Sequence, residues 1–476
     1  MIQLSEVCSV AFITLGCAKN EVDSRLMSSH LEEQGFVVRE DLEEADFIIL
    51  NTCAFIEAAI EESLDTILEL AALERVMSGE TRLLVVGCLP SRFGEQLEDE
   101  LPEVSSFIPV SKEDDLALII TQLLEQQPVA RQGVLLDTTS RHKTQEKSEP
   151  WGYVKISDGC SRHCTYCTIP SIRGPYHSYA YGDISAEIDK LLAKGAREIV
   201  LIGQDTGIWS EPTLPGATAN GKNPQGTPQN LAELLATLAK RYPKTWFRTL
   251  YLQPEGINND LLEVMAAHDN IADYLDIPLQ HASERILKAM NRRGSAEEYL
   301  KLLSRIRKAL PVVVLRTTVM TGFPSETQED YDELYEFIRA ACFDYVGIFA
   351  YSCEEGTLAA SMPEQVDEET AFERAQELRD LADSMGFSVA QDQVGTSVDV
   401  LVCGKDEEGL FGRTQGQAPD VDGLTYILPH EDEEKSSIKE SALTQEQPLE
   451  NLPELGSIVR VRISEAVLYD LFAEVL

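Results

Sequence analysis

The sequence predicts an α/β chain in three parts: an N-terminal parallel α/β sheet domain, a partial (βα)6 barrel, and a small C-terminal all-β barrel. Three observations predict it. Short β-rich apolar runs alternate with amphipathic stretches up to about residue 125, the pattern of a parallel sheet covered on both faces. Six further units of the same kind follow, too few for a closed eight-fold barrel but suited to an open one. Beyond about residue 390 the rhythm changes to short alternating strands with glycine turns. The boundaries read as 7–125, 150–388 and 390–476, with 126–149 as a linker.

In the first part the strands are expected at 10–15, 47–51 and 83–87. Segments 21–34 and 57–76 carry the i, i+3, i+4 apolar spacing of helices. The linker is polar, contains Arg131, Arg141, His142, Lys143 and Lys147, and is expected to end in a strand. The barrel strands are expected at 153–157, 198–202, 247–252, 274–277, 312–320 and 345–350. Segment 211–228, rich in Gly, Pro, Thr and Asn, reads as a surface insertion. In the last part, 397–402 and 458–463 read as strands, and the charged stretch 431–447 as a loop.

Bulk composition narrows the function classes. Of 476 residues, 43% are hydrophobic and 25% charged, ordinary for a globular chain. No run of eighteen apolar residues is present, so no membrane span is expected. The first residues lack a basic n-region and an apolar core, so no signal peptide is expected and the cytoplasm is the expected compartment. There the ten cysteines stay reduced, and clustered ones serve as ligands or catalysts rather than disulfides. Forty basic against 81 acidic residues give a net charge of −41. Such a surface repels a phosphate backbone and attracts a basic partner, or serves solubility alone. Nothing in the sequence indicates an assembly, and the chain is read as a monomer.

Two cysteine constellations stand out. Cys160, Cys164 and Cys167 form C-x3-C-x2-C directly after the first barrel strand. Three thiolates on one tight loop suit a cubane iron–sulfur cluster and leave one iron open. Structural zinc takes four closed ligands, and no second C-x2-C lies nearby. His163 could supply a fourth ligand, but it adjoins Cys164, a poor spacing for one ion. Cys17, Cys53 and Cys88 each follow a predicted strand, at spacings of 36 and 35 residues. In a parallel sheet all three thiols emerge on one edge, where open α/β sheets bind ligands. That makes a second three-thiol cluster site, against the plain reading of three buried cysteines. Cys8, Cys342, Cys353 and Cys403 have no such partners and read as packing residues.

C-x3-C-x2-C after a first barrel strand resembles the radical S-adenosylmethionine (SAM) superfamily. The resemblance implies that the three thiolates bind [4Fe-4S], whose open iron chelates SAM, and that Tyr166 packs near the adenine. It implies reductive SAM cleavage to a 5′-deoxyadenosyl radical, chemistry that a cofactor must carry. Plain core packing is the rival role for Tyr166. Two three-cysteine sites in this order resemble the methylthiotransferase branch, over almost the whole chain. That implies two [4Fe-4S] clusters, SAM as source of both radical and methyl group, a sulfur donor, an electron donor, and a C-terminal barrel of the TRAM type.

Branches of that family act on a tRNA adenosine or on an aspartate of a ribosomal protein. Segment 15–24, with Gly16-Cys17-Ala18-Lys19-Asn20 followed by Val22-Asp23-Ser24, resembles the RimO type. So do Pro278-Leu279-Gln280-His281 and Tyr351-Ser352-Cys353-Glu354-Glu355-Gly356-Thr357. The resemblance implies a loop aspartate of ribosomal protein S12, free or in the small ribosomal subunit, converted to β-methylthioaspartate. Charge points the same way: residues 391–476 carry 18 acidic and 6 basic side chains, net −12. A barrel so charged is badly suited to tRNA phosphates and suits a basic protein. After Arg173-Gly174 both branches usually continue with an R-S-R-like segment, whereas this chain reads Pro175-Tyr176-His177-Ser178-Tyr179.

Strand-end polar residues of the barrel are the candidates for SAM contact: Gln204 with Asp205, Gln280, Arg316, the Thr321–Pro324 turn and Tyr351. Arg316 has the alternative of a structural ion pair.

Overall fold

The computed structural model describes residues 8–126, 149–212, 227–428 and 453–476. Most of the predicted linker, the core of the 211–228 insertion and the whole 431–447 loop lie outside the described residues. The α/β architecture in three parts is the observed one.

Runs of β-branched and apolar residues form β1 (Ser9–Thr14), β3 (Phe47–Thr52) and β4 (Arg82–Gly87) close to their predicted places. Two shorter strands, β2 (Val37–Arg39) and β5 (Val104–Pro109), complete a parallel sheet in the order β2-β1-β3-β4-β5. Helices α1 (Ala18–Glu33), α2 (Glu57–Ala71), α3 (Glu74–Met77), α4 (Cys88–Glu100) and α5 (Leu116–Gln126) cover it. The predicted helix 57–76 is thus two helices, with Leu73 extended between them. Every residue of β3 is buried, because one face packs Phe47 and Ile49 and the other packs Ile48 and Leu50 into separate cores. That is the burial of a central parallel strand.

The second part opens with β6 (Trp151–Lys155). A short antiparallel pair follows, β7 (Ser157–Asp158) with β8 (His177–Ser178). Between them runs α6 (Ile169–Arg173). Strands β9 (Glu198–Ile202) and β10 (Trp246–Thr249) continue beside β6. Strands β11 (Tyr274–Gln280), β12 (Val314–Thr321) and β13 (Tyr345–Ala350) form a second parallel trio. The trios meet where Leu252 N donates to Asp276 O at 2.9 Å. The six strands make an open barrel wall whose inward side chains Tyr153, Val200, Ile202, Leu250 and Tyr274 pack with Val22 of α1 and Ala418.

The helix Glu368–Asp392 leads to the last part. Here β14 (Ser397–Lys405), β15 (Leu410–Thr414), β16 (Thr425–Leu428), β17 (Ile458–Val467) and β18 (Asp470–Val475) close into a barrel. It docks through buried charge: Glu198 at the start of β9 takes Arg248 at 2.8 Å and Arg413 of β15 at 2.7 Å. Among the described residues no helix is long and apolar enough to cross a membrane.

Two of the four remaining cysteines do not take the expected packing role. Cys8 is buried and Cys403 half-buried, but Cys342 and Cys353 are exposed. Cys342 ends the Gln328–Ala341 helix in the left-handed conformation (φ 51°), which turns it out of the core. Cys353 stands on the loop after β13, beyond the last strand residue that packing could bury.

Candidate active site

Strand register builds the N-terminal thiol trio. Asn51 lies beside Thr14 and Val86, and Thr52 beside Gly87, so the ends of β1, β3 and β4 are level. Cys17, Cys53 and Cys88 therefore leave the same edge of the sheet. Glycine precedes two of them for a steric reason. Gly16 has φ +96°, and a Cβ there would stand 2.7 Å from Cys53 Cβ. Gly87 has φ +98°, and a Cβ there would stand 2.4 Å from Asn51 Oδ1.

Asn20 ties the three strand ends together. Its Nδ2 donates to Leu15 O at 2.9 Å and Thr52 O at 3.0 Å, while its Oδ1 lies 3.9 Å from both Cys17 Sγ and Cys88 Sγ. Burial pushes the Cys88 thiol up to about 12, against the pull of Arg173; Cys53 is also raised, chiefly by burial and with Cys17 adding to it. The thiols thus feel one another, and a positively charged iron core is what would hold them as thiolates.

The second trio sits on the loop between β7 and α6. Cys160 N donates to Gly174 O and Cys167 N to Cys164 O, both at 3.1 Å, which curls the loop. His163, inside the curl, has φ +53° and is exposed. Burial pushes the Cys167 thiol up to about 12, with Cys164 and Cys160 adding to it. Arg292 Nη1 stands 3.9 Å from Cys164 Sγ, and its Nη2 is anchored on Gln253 Oε1 and Pro278 O at 2.7 Å each. A pocket of about 230 Å3 opens at Cys164, lined by Arg162, Glu255, Asn291, Arg292 and Arg293. Among the described residues no three His, Cys, Asp or Glu side chains form the close set a single metal ion needs. A cubane core takes one thiolate per iron, and three thiols on one curled loop are the donor set for three of its irons.

The barrel rim offers polar atoms without protein partners. Both amide atoms of Gln204, Oδ1 of Asp205 and the hydroxyl of Tyr351 are buried and unsatisfied. Unmet hydrogen bonds at a barrel mouth beside three thiols fit a polar cofactor such as SAM. Asp205 also takes Arg162 Nε at 2.5 Å. Gln280 ends β11 with φ +74° at a register shift. Tyr351 N donates to Thr321 O at 2.8 Å and its ring meets Phe323 edge-on at 5.5 Å. Tyr166 packs partly into the barrel core. Arg316 lies deeper: it pairs with Asp276 at 3.0 Å and lies 3.6 Å from Asp422 of the terminal barrel. Both guanidinium edges meet carboxylates there, the geometry of a structural pair.

Residues that spacing did not reveal join the two trios. Arg173, the last residue of α6, donates to Asn20 Oδ1 at 2.8 Å and lies 4.0 Å from Cys88 Sγ. It also pairs with Asp23 at 2.9 Å and Asp158 at 3.2 Å, and Lys155 meets the same two carboxylates. Two buried cations thus balance two buried anions. Burial alone would raise the Asp158 carboxyl, but Lys155 and Arg173 outweigh it and hold it at about 2. Next to this knot, burial and Asp23 push the Glu113 carboxyl up to about 8. Glu354, in the stretch after β13, accepts from Glu57 N and from Arg92 Nη1 at 2.8 Å each. Thr168 reaches Phe55 O at 3.4 Å. A basic residue soon after the last cysteine and an acidic pair after Tyr351 were the only sequence signals for these contacts. Tyr176 and His177, from the divergent segment, line a cleft of about 840 Å3 beside the knot.

Comparison with known proteins agrees with this architecture. Residues 9–109 match the profile of uncharacterized protein family UPF0004, 154–338 that of the Radical SAM superfamily, and 394–476 that of the TRAM domain. The ribosomal protein uS12 methylthiotransferase RimO of Clostridioides difficile (strain 630) is 36% identical over 98% of both chains. That of Syntrophus aciditrophicus (strain SB) is 38% identical over 98% of both. That of Moorella thermoacetica is 41% identical over 88% of this chain and 92% of its own. Among solved structures, the radical SAM methyltransferase TsrM from Kitasatospora setae shares the fold, with a TM-score of 0.53 at 14% identity over 82% of this chain and 79% of its own. By its full-length relatives, its three matching regions and its two thiol trios, the chain belongs to the RimO family of radical SAM methylthiotransferases.

Proposed function

We propose that this chain replaces a C–H bond on the β-carbon of an aspartate of ribosomal protein uS12 with C–S–CH3, in the cytoplasm, drawing on separate electron and sulfur donors. One observation carries the reading: the two thiol trios share a seam, where Arg173 of the second trio's helix reaches Asn20 and Cys88 of the first. The full-length identity to uS12 methylthiotransferases supports the substrate. Two [4Fe-4S] clusters and SAM, when bound, supply the electron, the hydrogen-abstracting radical and the methyl group.

The chain's own residues supply place and charge. Cys160, Cys164 and Cys167 hold one cluster, and Cys17, Cys53 and Cys88 the other. Gln204, Asp205 and Tyr351 offer SAM its hydrogen bonds, and Tyr166 an apolar wall. Gln280 and Arg316 stand on neighbouring strands; Arg316 stiffens the wall through Asp276. Arg292 and Arg173 each place positive charge beside one thiol trio and offset its negative charge. The acidic terminal barrel, at −12 over 391–476, attracts a basic protein and opposes direct tRNA binding.

The test is an anaerobic assay. Protein reconstituted with iron and sulfide receives SAM, a reductant and a sulfur source, with uS12 and undermodified tRNA offered in parallel. Mass spectrometry is expected to find a methylthio group on a uS12 aspartate. A methylthio group on tRNA alone would overturn the substrate while keeping the chemistry.

A further inference from the structure

Five lysine and arginine residues are buried as whole residues among the described residues: Lys19, Lys155, Arg173, Arg248 and Arg413. Four of them sit on carboxylates: Lys155 and Arg173 on Asp23 and Asp158, Arg248 and Arg413 on Glu198. Lys19 differs. It is 8% exposed, and its Nζ stands 3.0 Å from the centre of the Tyr251 ring, with no carboxylate in ion-pair range among the described residues. In a chain with 81 acidic residues, an amine buried without one is conspicuous. A ring face only partly replaces the water a buried ammonium gives up.

Its place makes the vacancy meaningful. Lys19 follows Cys17 by two residues at the start of α1. Tyr251 follows β10 at the barrel rim, in the left-handed conformation (φ 62°). Asp276 accepts from Tyr251 N at 3.0 Å, and Thr206, next to Asp205, donates to Tyr251 O at 3.2 Å. A bulky residue in this backbone region costs energy and persists where the surroundings impose it, as at ligand sites. The ring is thus a fixed platform, and the Lys19 ammonium on it joins the start of α1, two residues after Cys17, to the barrel rim beside Asp205.

We propose that Lys19 is a substrate-binding residue that takes the side-chain carboxylate of the target aspartate, with Tyr251 holding the ammonium ready. This rests on the proposed function, because an aspartate brings its carboxylate one bond from the carbon that reacts. A charge-assisted pair to a largely buried ammonium fixes the β-carbon and rejects uncharged side chains.

Binding tests this without turnover. Full-length protein reconstituted with iron and sulfide is titrated with uS12 and with uS12 whose target aspartate is changed to asparagine. SAM affinity is measured alongside. The unsubstituted enzyme is expected to favour the aspartate form by about ten- to a hundredfold, the range of one charged hydrogen bond. Lys19→Met, which keeps the apolar stem, is expected to erase that preference and leave SAM affinity unchanged; Lys19→Arg is expected to restore part of it. Lys19→Gln is the second neutral variant should methionine impair folding. An aspartate preference that persists in the neutral variants overturns the inference alone. So does a loss of SAM affinity in place of the preference, which would assign Lys19 to the carboxylate of SAM. Failure of the unsubstituted enzyme to bind either form overturns the proposed function as well.

Discussion

Cys160, Cys164 and Cys167 ride on one curled loop of eight residues, whereas Cys17, Cys53 and Cys88 come from three strand ends spaced 36 and 35 residues apart. The loop trio is held by its own backbone and by Arg292. The sheet trio is held by register, by two glycines that clear the crossing, and by Asn20. The difference teaches where each site is vulnerable. Damage to the sheet edge should empty the first site and spare the second. Damage to the knot that joins them should weaken the fold as a whole.

The knot carries the largest expected effect on stability. Arg173→Met leaves Asp23 and Asp158 with Lys155 alone, a buried excess of one negative charge. Breaking such a network costs about 3–5 kcal/mol. Denaturant unfolding of the apo protein is expected to show a loss of that size, and an unchanged midpoint would mean the knot is idle. Gly87→Ala comes next. Its Cβ would meet Asn51 Oδ1 at 2.4 Å and Thr52 O at 2.9 Å in a left-handed backbone, a cost of about 2–3 kcal/mol. Iron analysis is expected to fall from two clusters toward one while SAM cleavage persists. Loss of both clusters together would mean that the sites are not built independently.

The smallest effect lies at the far end of the barrel. Burial raises Asp422 from 3.8 to about 6, although Arg316 opposes the shift. A carboxyl raised on folding adds stability that is fully present below its unfolded value and is lost as pH rises through the folded one. This contribution therefore fades between about pH 4 and 6. Relative to the unsubstituted protein, Asp422→Asn is expected to flatten the Tm profile across that window by about 2–4 °C. An identical slope in both proteins would show that Asp422 does not titrate there.

Much of this was legible in residue pattern. Strands β1, β3 and β4 and the six barrel strands announce themselves as β-rich apolar runs, and both thiol trios follow from strand-end position or tight spacing. Strands β2 and β5 escaped because Val37–Arg39 is three residues long and Val104–Pro109 carries two serines and a terminal proline. The joins between parts were not legible. Arg173 to Asn20, Arg92 to Glu354 and Arg413 to Glu198 span 153, 262 and 215 positions, and no local pattern encodes such pairs. The packing role read for Cys342 and Cys353 failed because each stands at the end of an apolar element, where the chain turns outward.

The most direct test of two sites with separate duties pairs Cys164→Ala with Cys53→Ala. Each reconstituted variant is given SAM, reductant, a sulfur source and uS12, and both 5′-deoxyadenosine and methylthio product are measured. Cys164→Ala is expected to abolish both. Cys53→Ala is expected to keep SAM cleavage and lose the methylthio product. Methylthio product from Cys53→Ala, or SAM cleavage by Cys164→Ala, would contradict the account.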